Sequence, residues 1–201
     1  MAATYRTLAQ RFRFEIDPVK GSRFLTTAAP AASEEEARAI LDGVRAEFPN
    51  ATHHCWALRI GPGGEVFRSS DDGEPGGSAG RPILAQIEGH GLTDVIVVVT
   101  RWFGGTKLGV GGLIRAYGGA CGRTLDRAPL RTVVVTVRVR IEYPYDCSGA
   151  VEGVLRSRGL EPVASEYGEE VWVEVLVPED EVAAVSRELA DKTAGRVQAR
   201  S

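Results

Sequence analysis

The chain has 201 residues, 43% hydrophobic and 25% charged, with a net charge of −3. That is the composition of a globular chain with room for one large domain or two small ones, and no run approaches the ~18 consecutive apolar residues of a membrane span. Three cysteines, far apart, exclude a disulfide framework, and the opening MAATYRTLAQRFRFEI lacks the apolar core of a signal peptide, so a cytoplasmic protein is expected.

The charge is uneven. Residues 1–137 hold 16 Lys/Arg against 14 Asp/Glu, net +2, whereas residues 138–201 hold 8 against 13, net −5. This asymmetry predicts two domains, 1–130 and 131–201. Residues 11–17 alternate, with Phe12, Phe14 and Ile16 on one face, and read as a half-buried strand that Asp17-Pro18 breaks. Lys20-Gly21 turns into a second strand over 22–27. Ser33 and Glu36 form a capping box for a helix whose stripe is Ala37, Ile40, Leu41, Val44 and Phe48. Residues 53–60 and 65–69 read as strands, and a short helix follows Pro82 and ends at Gly89.

Residues 71–117 organise the chain and hold 11 of its 24 glycines. Within them, 95–99 is an unbroken apolar run, the signature of a strand buried on both faces. A glycine-rich loop over 104–112 carries Lys107 and leads into an amphipathic helix through Val110, Leu113, Ile114, Tyr117, Cys121 and Leu125. After Ala128-Pro129 the pattern restarts as strand (132–142), helix (146–158), strand (160–167), a hairpin turn at Gly168-Glu169, strand (171–177), helix after Pro178 and strand (196–200). The order βαββαβ predicts a ferredoxin-like second domain.

Strand, glycine loop with a cation, then helix start is a recipe for an anion site. The loop is neither a Walker loop, because Val110 stands where Lys is required, nor a dinucleotide fingerprint, because Ile114 stands where the third Gly is required. Two readings stay open. In one, Gly104, Gly105, Gly109, Gly111 and Gly112 let backbone N–H groups approach phosphate beside Lys107, Arg101, Arg115 and Arg81, with Lys20 and Arg23 extending the patch. In the other, the glycines serve a tight strand-to-helix packing. Asp71, Asp72 and Glu74 could hold a hard cation or act as acid and base. The interleaved Gly73 and Pro75 favour a turn whose acids bond the local backbone. His53-His54-Cys55 puts only His53 and Cys55 on one strand face, short of a metal's usual four ligands. Trp102-Phe103 reads as core in preference to a stacking surface for bases.

KGSRF (20–24), HHCWALRIG (53–61), DDGEPGGSAGRPIL (71–84) and VVVTRWFGGTKLGVGGLIRAY (97–117) occur in one order over most of residues 10–127. Together they resemble the IMPACT family of the bacterial YigZ type. The resemblance implies an α+β fold: a first domain like a ribosomal small-subunit protein and the fourth domain of elongation factor G, and a second like that factor's fifth domain. It also implies an association with translation and its regulation under stress. Joined to the residues above, it gives the expected function: binding of structured RNA or the ribosome through the glycine-rich surface. The acidic second domain is expected to meet a protein, and no cofactor is expected. The rival expectations are a nucleotide- or metal-dependent enzyme using Asp71, Asp72 and Glu74, and a protein-interaction module.

Overall fold

The computed structural model describes residues 3–168, 170–197 and 199–200. They divide into two compact units, Tyr5–Val133 and a second that runs from Val134 onward and includes Thr4. Among the described residues no helix is long and apolar enough to cross a membrane.

The first unit is built on a five-stranded antiparallel sheet from β2 (Phe12–Val19), β3 (Ser22–Pro30), β4 (His53–Ile60), β5 (Val66–Ser70) and β6 (Val95–Trp102), in the order β2-β3-β6-β4-β5. The central strand β6 is buried along Val95–Arg101. Val95, Val97 and Val99 join one apolar cluster with helices α2 (Gly80–Gly89) and α3 (Val110–Leu125), while Ile96 and Val98 join another with α1 (Glu34–Glu47). Side chains alternate across a strand, so the unbroken apolar run feeds both faces. Ser33 caps α1 as expected, accepting from the Glu36 N–H at 3.1 Å, while Glu36 reaches one residue beyond the expected capping box and accepts from the Ala32 N–H at 2.8 Å.

Three expectations change. Pro18 does not end β2, because β2 is an edge strand and the register shifts between Ile16 and Val19, where a missing N–H costs no ladder bond. α2 begins two residues before Pro82, which is harmless because first-turn N–H groups have no helical partner. The strand expected over 132–142 is two strands. β7 (Leu130–Val134) pairs with β1 (Thr4–Leu8), which the sequence reading left unassigned, and β8 (Thr136–Pro144) starts the next sheet.

In the second unit, β8, β9 (Pro162–Tyr167), β10 (Glu170–Pro178) and β11 (Ala199–Arg200) order as β11-β8-β10-β9. Helices α4 (Ser148–Ser157) and α5 (Val182–Lys192) send Val151, Val154, Leu155, Val185 and Leu189 into one cluster with Val139, Ile141, Val173 and Val175. Both helices therefore cover one sheet face, which is the ferredoxin-like arrangement. Glu169 of the expected hairpin turn and Gln198 of the expected last strand lie outside the described residues.

One close approach ties the Lys20-Gly21 turn to the loop after β6. A Cβ on Gly21 would lie 2.8 Å from the Gly104 carbonyl oxygen, and one on Gly104 would overlap the Gly21 carbonyl and the Ser22 nitrogen. By contrast, a Cβ on Gly43, in α1, meets nothing within 4 Å. Gly104→Ala should therefore destabilise the first unit by about 1–3 kcal/mol through overpacking, and Gly43→Ala should stabilise it by about 0.5–1 kcal/mol through helix propensity. Denaturant midpoints of the two variants check this, and opposite signs are expected.

Candidate functional site

The acidic turn after β5 is held by its own backbone. One carboxylate oxygen of Asp71 accepts from the N–H groups of Ala79 and Gly80, both at 2.9 Å, and the other from Gly77 at 2.7 Å. The α2 N-terminus is thus filled by an internal anion, which complements the helix dipole. Burial works to raise the Asp71 carboxyl, but the three N–H groups outweigh it and hold the group below its ordinary value. Asp72 takes a positive φ of 43° and accepts from the His54 N–H at 2.7 Å and from Arg45 at 3.0 Å. His53 Nδ1 lies 2.8 Å from the Asp72 carbonyl. A carbonyl only accepts, so Nδ1 carries the proton. The Cys55 thiol donates to the Asp71 carbonyl at 3.0 Å, and burial pushes it up to about 12. His53 and Cys55, which share a strand face, both spend their polar atoms on this turn.

Glu74 points inward. Its Oε1 accepts from Arg101 Nη1 and from the Tyr117 hydroxyl, each at 2.6 Å, and lies 3.8 Å from His53 Nε2. The Glu74 and Arg101 side chains are each only 5% exposed. Arg101 Nη2 also donates to Ser22 Oγ at 3.1 Å, and the Gly104 N–H donates to that same oxygen at 3.2 Å. Arg101 Nε has no partner among the described residues. Burial, then the neighbouring Cys55 and Glu74, push the Tyr117 phenol well above its ordinary range, so it stays a donor. Tyr117 also packs edge-on against Phe24 at 5.3 Å. The three acids on which an acid–base or metal reading rests are thus engaged by backbone N–H groups, arginines and a phenol.

This geometry corrects the expected phosphate surface. Arg101 is not at it, because the ion pair with Glu74 holds its guanidinium inside. Gly104 serves packing against Gly21. Arg23 pairs with Glu15 at 2.8 Å and stacks 4.9 Å over the Trp102 ring. Arg81 is exposed in the first turn of α2. The remainder gather around the start of α3. Gly105 and Gly109 take positive φ of 87° and 73°, and Gly109 is the N-cap of α3, where no side chain caps the helix and no acid stands in the first turn. Gly112 abuts Leu108, since a Cβ there would lie 3.0 Å from the leucine Cβ, while Gly111 is exposed. Lys107, Arg115 and Lys20 are exposed, and among the described residues none of the three forms an ion pair.

Two cavities flank this helix start. A groove of about 530 Å³ runs along α3 and is lined by Lys20, Arg115, Gly112, Gly119 and Arg123, with Asp17 its one acid. A cavity of about 340 Å³ lies between Arg101, Phe103, Lys107, Gly109 and Val110, with Glu74 the acid in its lining. Arg123 was missed by the sequence reading, although Arg115, Gly119 and Arg123 fall at four-residue steps and so share a helix face. Phe103 was expected in the core and is 48% exposed; Trp102 does pack, edge-on against Phe48 at 5.6 Å.

Two stability outcomes follow. Removing Glu74 leaves a buried arginine unpaired, so Glu74→Ala should cost about 3–5 kcal/mol in a denaturant titration, and Glu74→Gln, which keeps an acceptor for Tyr117, should cost less. His54 is buried, and burial holds its pKa below the ordinary 6.5 against the pull of Asp72. Between the depressed folded value and 6.5 the unfolded chain binds more protons, so stability is intact above pH 6.5 and falls as the pH drops below it. Melting temperatures from pH 7.5 to 5 should show this decline, and His54→Gln should flatten it.

Residues 20–125 match the Impact N-terminal domain, and residues 141–196 match a domain of unknown function, DUF1949. The chain is 47% identical over 180 residues to the "IMPACT family member in pol 5'region" of Thermus thermophilus, covering 89% of this chain and 97% of that protein. It is 35% identical over 185 residues to the "IMPACT family member YigZ" of Escherichia coli, covering 91% of each. The "Protein IMPACT homolog" of Saccharomyces cerevisiae matches at 40% over 100 residues, 46% of this chain and 38% of that protein. A solved structure titled "Crystal structure of an hypothetical protein" superposes with a TM-score of 0.81 at 33% identity, covering 100% of this chain and 98% of that one. The Impact N-terminal domain spans more than half the chain and the bacterial relatives match along nearly all of it, so the protein belongs to the IMPACT family.

Proposed function

We propose that this protein is a cytoplasmic, translation-associated regulator that binds structured RNA or the ribosome through the start of α3. The observation that carries the reading is the contrast between two helix N-termini in one unit. That of α2 is filled by the Asp71 carboxylate, whereas that of α3 is left without a side-chain cap or an acid in its first turn. Orphan N–H groups and the helix dipole favour an anion there. Lys107, Arg115 and Lys20 lie around it, Arg123 continues the basic face near the far end of α3, and Asp17 is the one acid along the groove. A phosphate backbone complements such a surface, and its multiple charges match cations spread along α3 better than a single small anion does. The acidic second unit is suited to a protein partner, because bare acidic faces repel RNA. Family membership supports the link to translation.

Each phosphate contact removed should lower the salt slope of RNA binding by roughly one unit. Lys107→Glu and Arg115→Glu should each weaken binding across RNA sequences and flatten its salt dependence, with melting temperatures little changed because both side chains are exposed. The test is co-sedimentation with ribosomes together with affinity for structured RNA over a salt series. Unchanged affinity and slope in the folded Lys107→Glu variant would contradict the reading and leave the glycines as packing devices.

A further inference from the structure

The cavity beside the start of α3 has features that phosphate binding alone does not require. Phe103 and Val110, which line it, are 48% and 53% exposed, and Ile114, outside its lining, is 42% exposed. Single exposed apolar side chains are ordinary, but these three stand within twelve residues of chain around one helix start. Val110 and Ile114 lie four residues apart on α3 and so share a face. The Phe103 backbone is pinned: its N–H donates to Thr52 Oγ1 at 3.0 Å, and the Thr52 N–H donates to the Arg101 carbonyl at 2.8 Å. The backbone that carries the ring is therefore fixed while about half of the residue meets solvent, which lowers the entropy cost of stacking a partner on it.

Below the ring lies Arg101. It lines the same cavity, is 4% exposed, and sits with its guanidinium carbon 5.6 Å from the Phe103 ring centre. Nη1 and Nη2 bind Glu74 and Ser22, while Nε has no acceptor among the described residues. A buried donor without a partner is costly, and an acceptor brought by a ligand relieves that cost. The cavity thus offers an exposed aromatic face, apolar walls from Leu108, Val110 and Leu113, an incompletely partnered arginine whose ion pair offsets the Glu74 carboxylate in the lining, and beside them Lys107 and the open helix start.

We propose that this cavity takes one unstacked nucleotide. Its base stacks on Phe103 with an acceptor edge toward Arg101, and its phosphate lies against Lys107 and the first N–H groups of α3. The proposal rests on the anion-surface reading above and specifies what it recognises: an unpaired nucleotide, not the regular backbone of a duplex. Bases in an RNA helix are stacked and cannot reach such a cavity, whereas those of loops and single strands can. The volume of about 340 Å³ is at the small end of ligand sites.

The test is fluorescence anisotropy with a labelled eight-nucleotide single-stranded RNA, the same strand in a duplex, and nucleoside monophosphates as competitors. The full chain and Phe103→Ala, Phe103→Trp and Lys107→Glu are compared over a salt series. Wild type should prefer the single strand to the duplex. Phe103→Ala should weaken the single strand roughly tenfold while leaving the duplex affinity and the salt slope unchanged, and Phe103→Trp should restore binding. Competition by a monophosphate that Phe103→Ala abolishes, with no strand binding, supports the site and assigns it to free nucleotides. A Phe103→Ala variant that binds the single strand as wild type does, with a normal salt slope, overturns the nucleotide cavity and spares the anion surface. A salt slope near zero in wild type overturns both.

Discussion

The buried ion pair between Glu74 and Arg101 is the interaction on which the rest of this surface depends. It joins four segments that are far apart in the chain. Glu74 comes from the acidic turn and Arg101 from the end of β6, Ser22 at the start of β3 binds the same guanidinium, and Tyr117 of α3 binds the same carboxylate. Burying two charges is expensive, and such a pair is a positional device more than a source of stability. Its position sets where β6 ends. Ser22 Oγ, already holding Arg101, also accepts from the Gly104 N–H, so the chain leaves the sheet at a fixed point. That point is where Gly104 crosses Gly21, a crossing too tight for any side chain.

From there the loop reaches α3 with its cations outside and no anion of its own to cap the helix. The same unit solves the opposite problem at α2, where Asp71 satisfies three N–H groups at once. An N-terminus filled from within and one left open, with Lys107 and Arg115 nearby, are two treatments of the same electrostatics. The second is the one that suits a ligand. The glycines therefore divide between roles: Gly104 and Gly21 allow contact between backbones, while Gly105 and Gly109 supply positive φ on the way into α3.

Much of this was legible in the sequence where the signal is local. The apolar run 95–99 places β6 between two layers, Ser33 and Glu36 mark the start of α1, and the interleaved Gly73 and Pro75 mark the acidic turn. What was not legible depends on partners distant in the chain. Arg101 reads as one of several cations near a glycine loop, and only the fold brings Glu74, 27 residues earlier, against it. β1 carries no strong pattern because its two-stranded sheet with β7 leaves only Thr7 and Leu8 of the strand buried. Pro18 reads as a strand breaker because a sequence does not say which strand is an edge. Phe103 reads as core by residue type, yet it falls just past the end of β6, where it is 48% exposed.

The central claim is that phosphate is met at the open start of α3 and along the basic face that continues from it. Backbone amide NMR of the full chain, titrated with a short single-stranded RNA at low salt, tests it most directly. Amide resonances of Val110, Gly111 and Gly112 should shift most, followed by Lys107 and the face of α3 that carries Arg115. Those of Gly77, Ala79 and Gly80 at the start of α2, where Asp71 already occupies the N–H groups, should stay still. Shifts centred on α2 or on the acidic second unit, or equal shifts at both helix starts, would contradict the account.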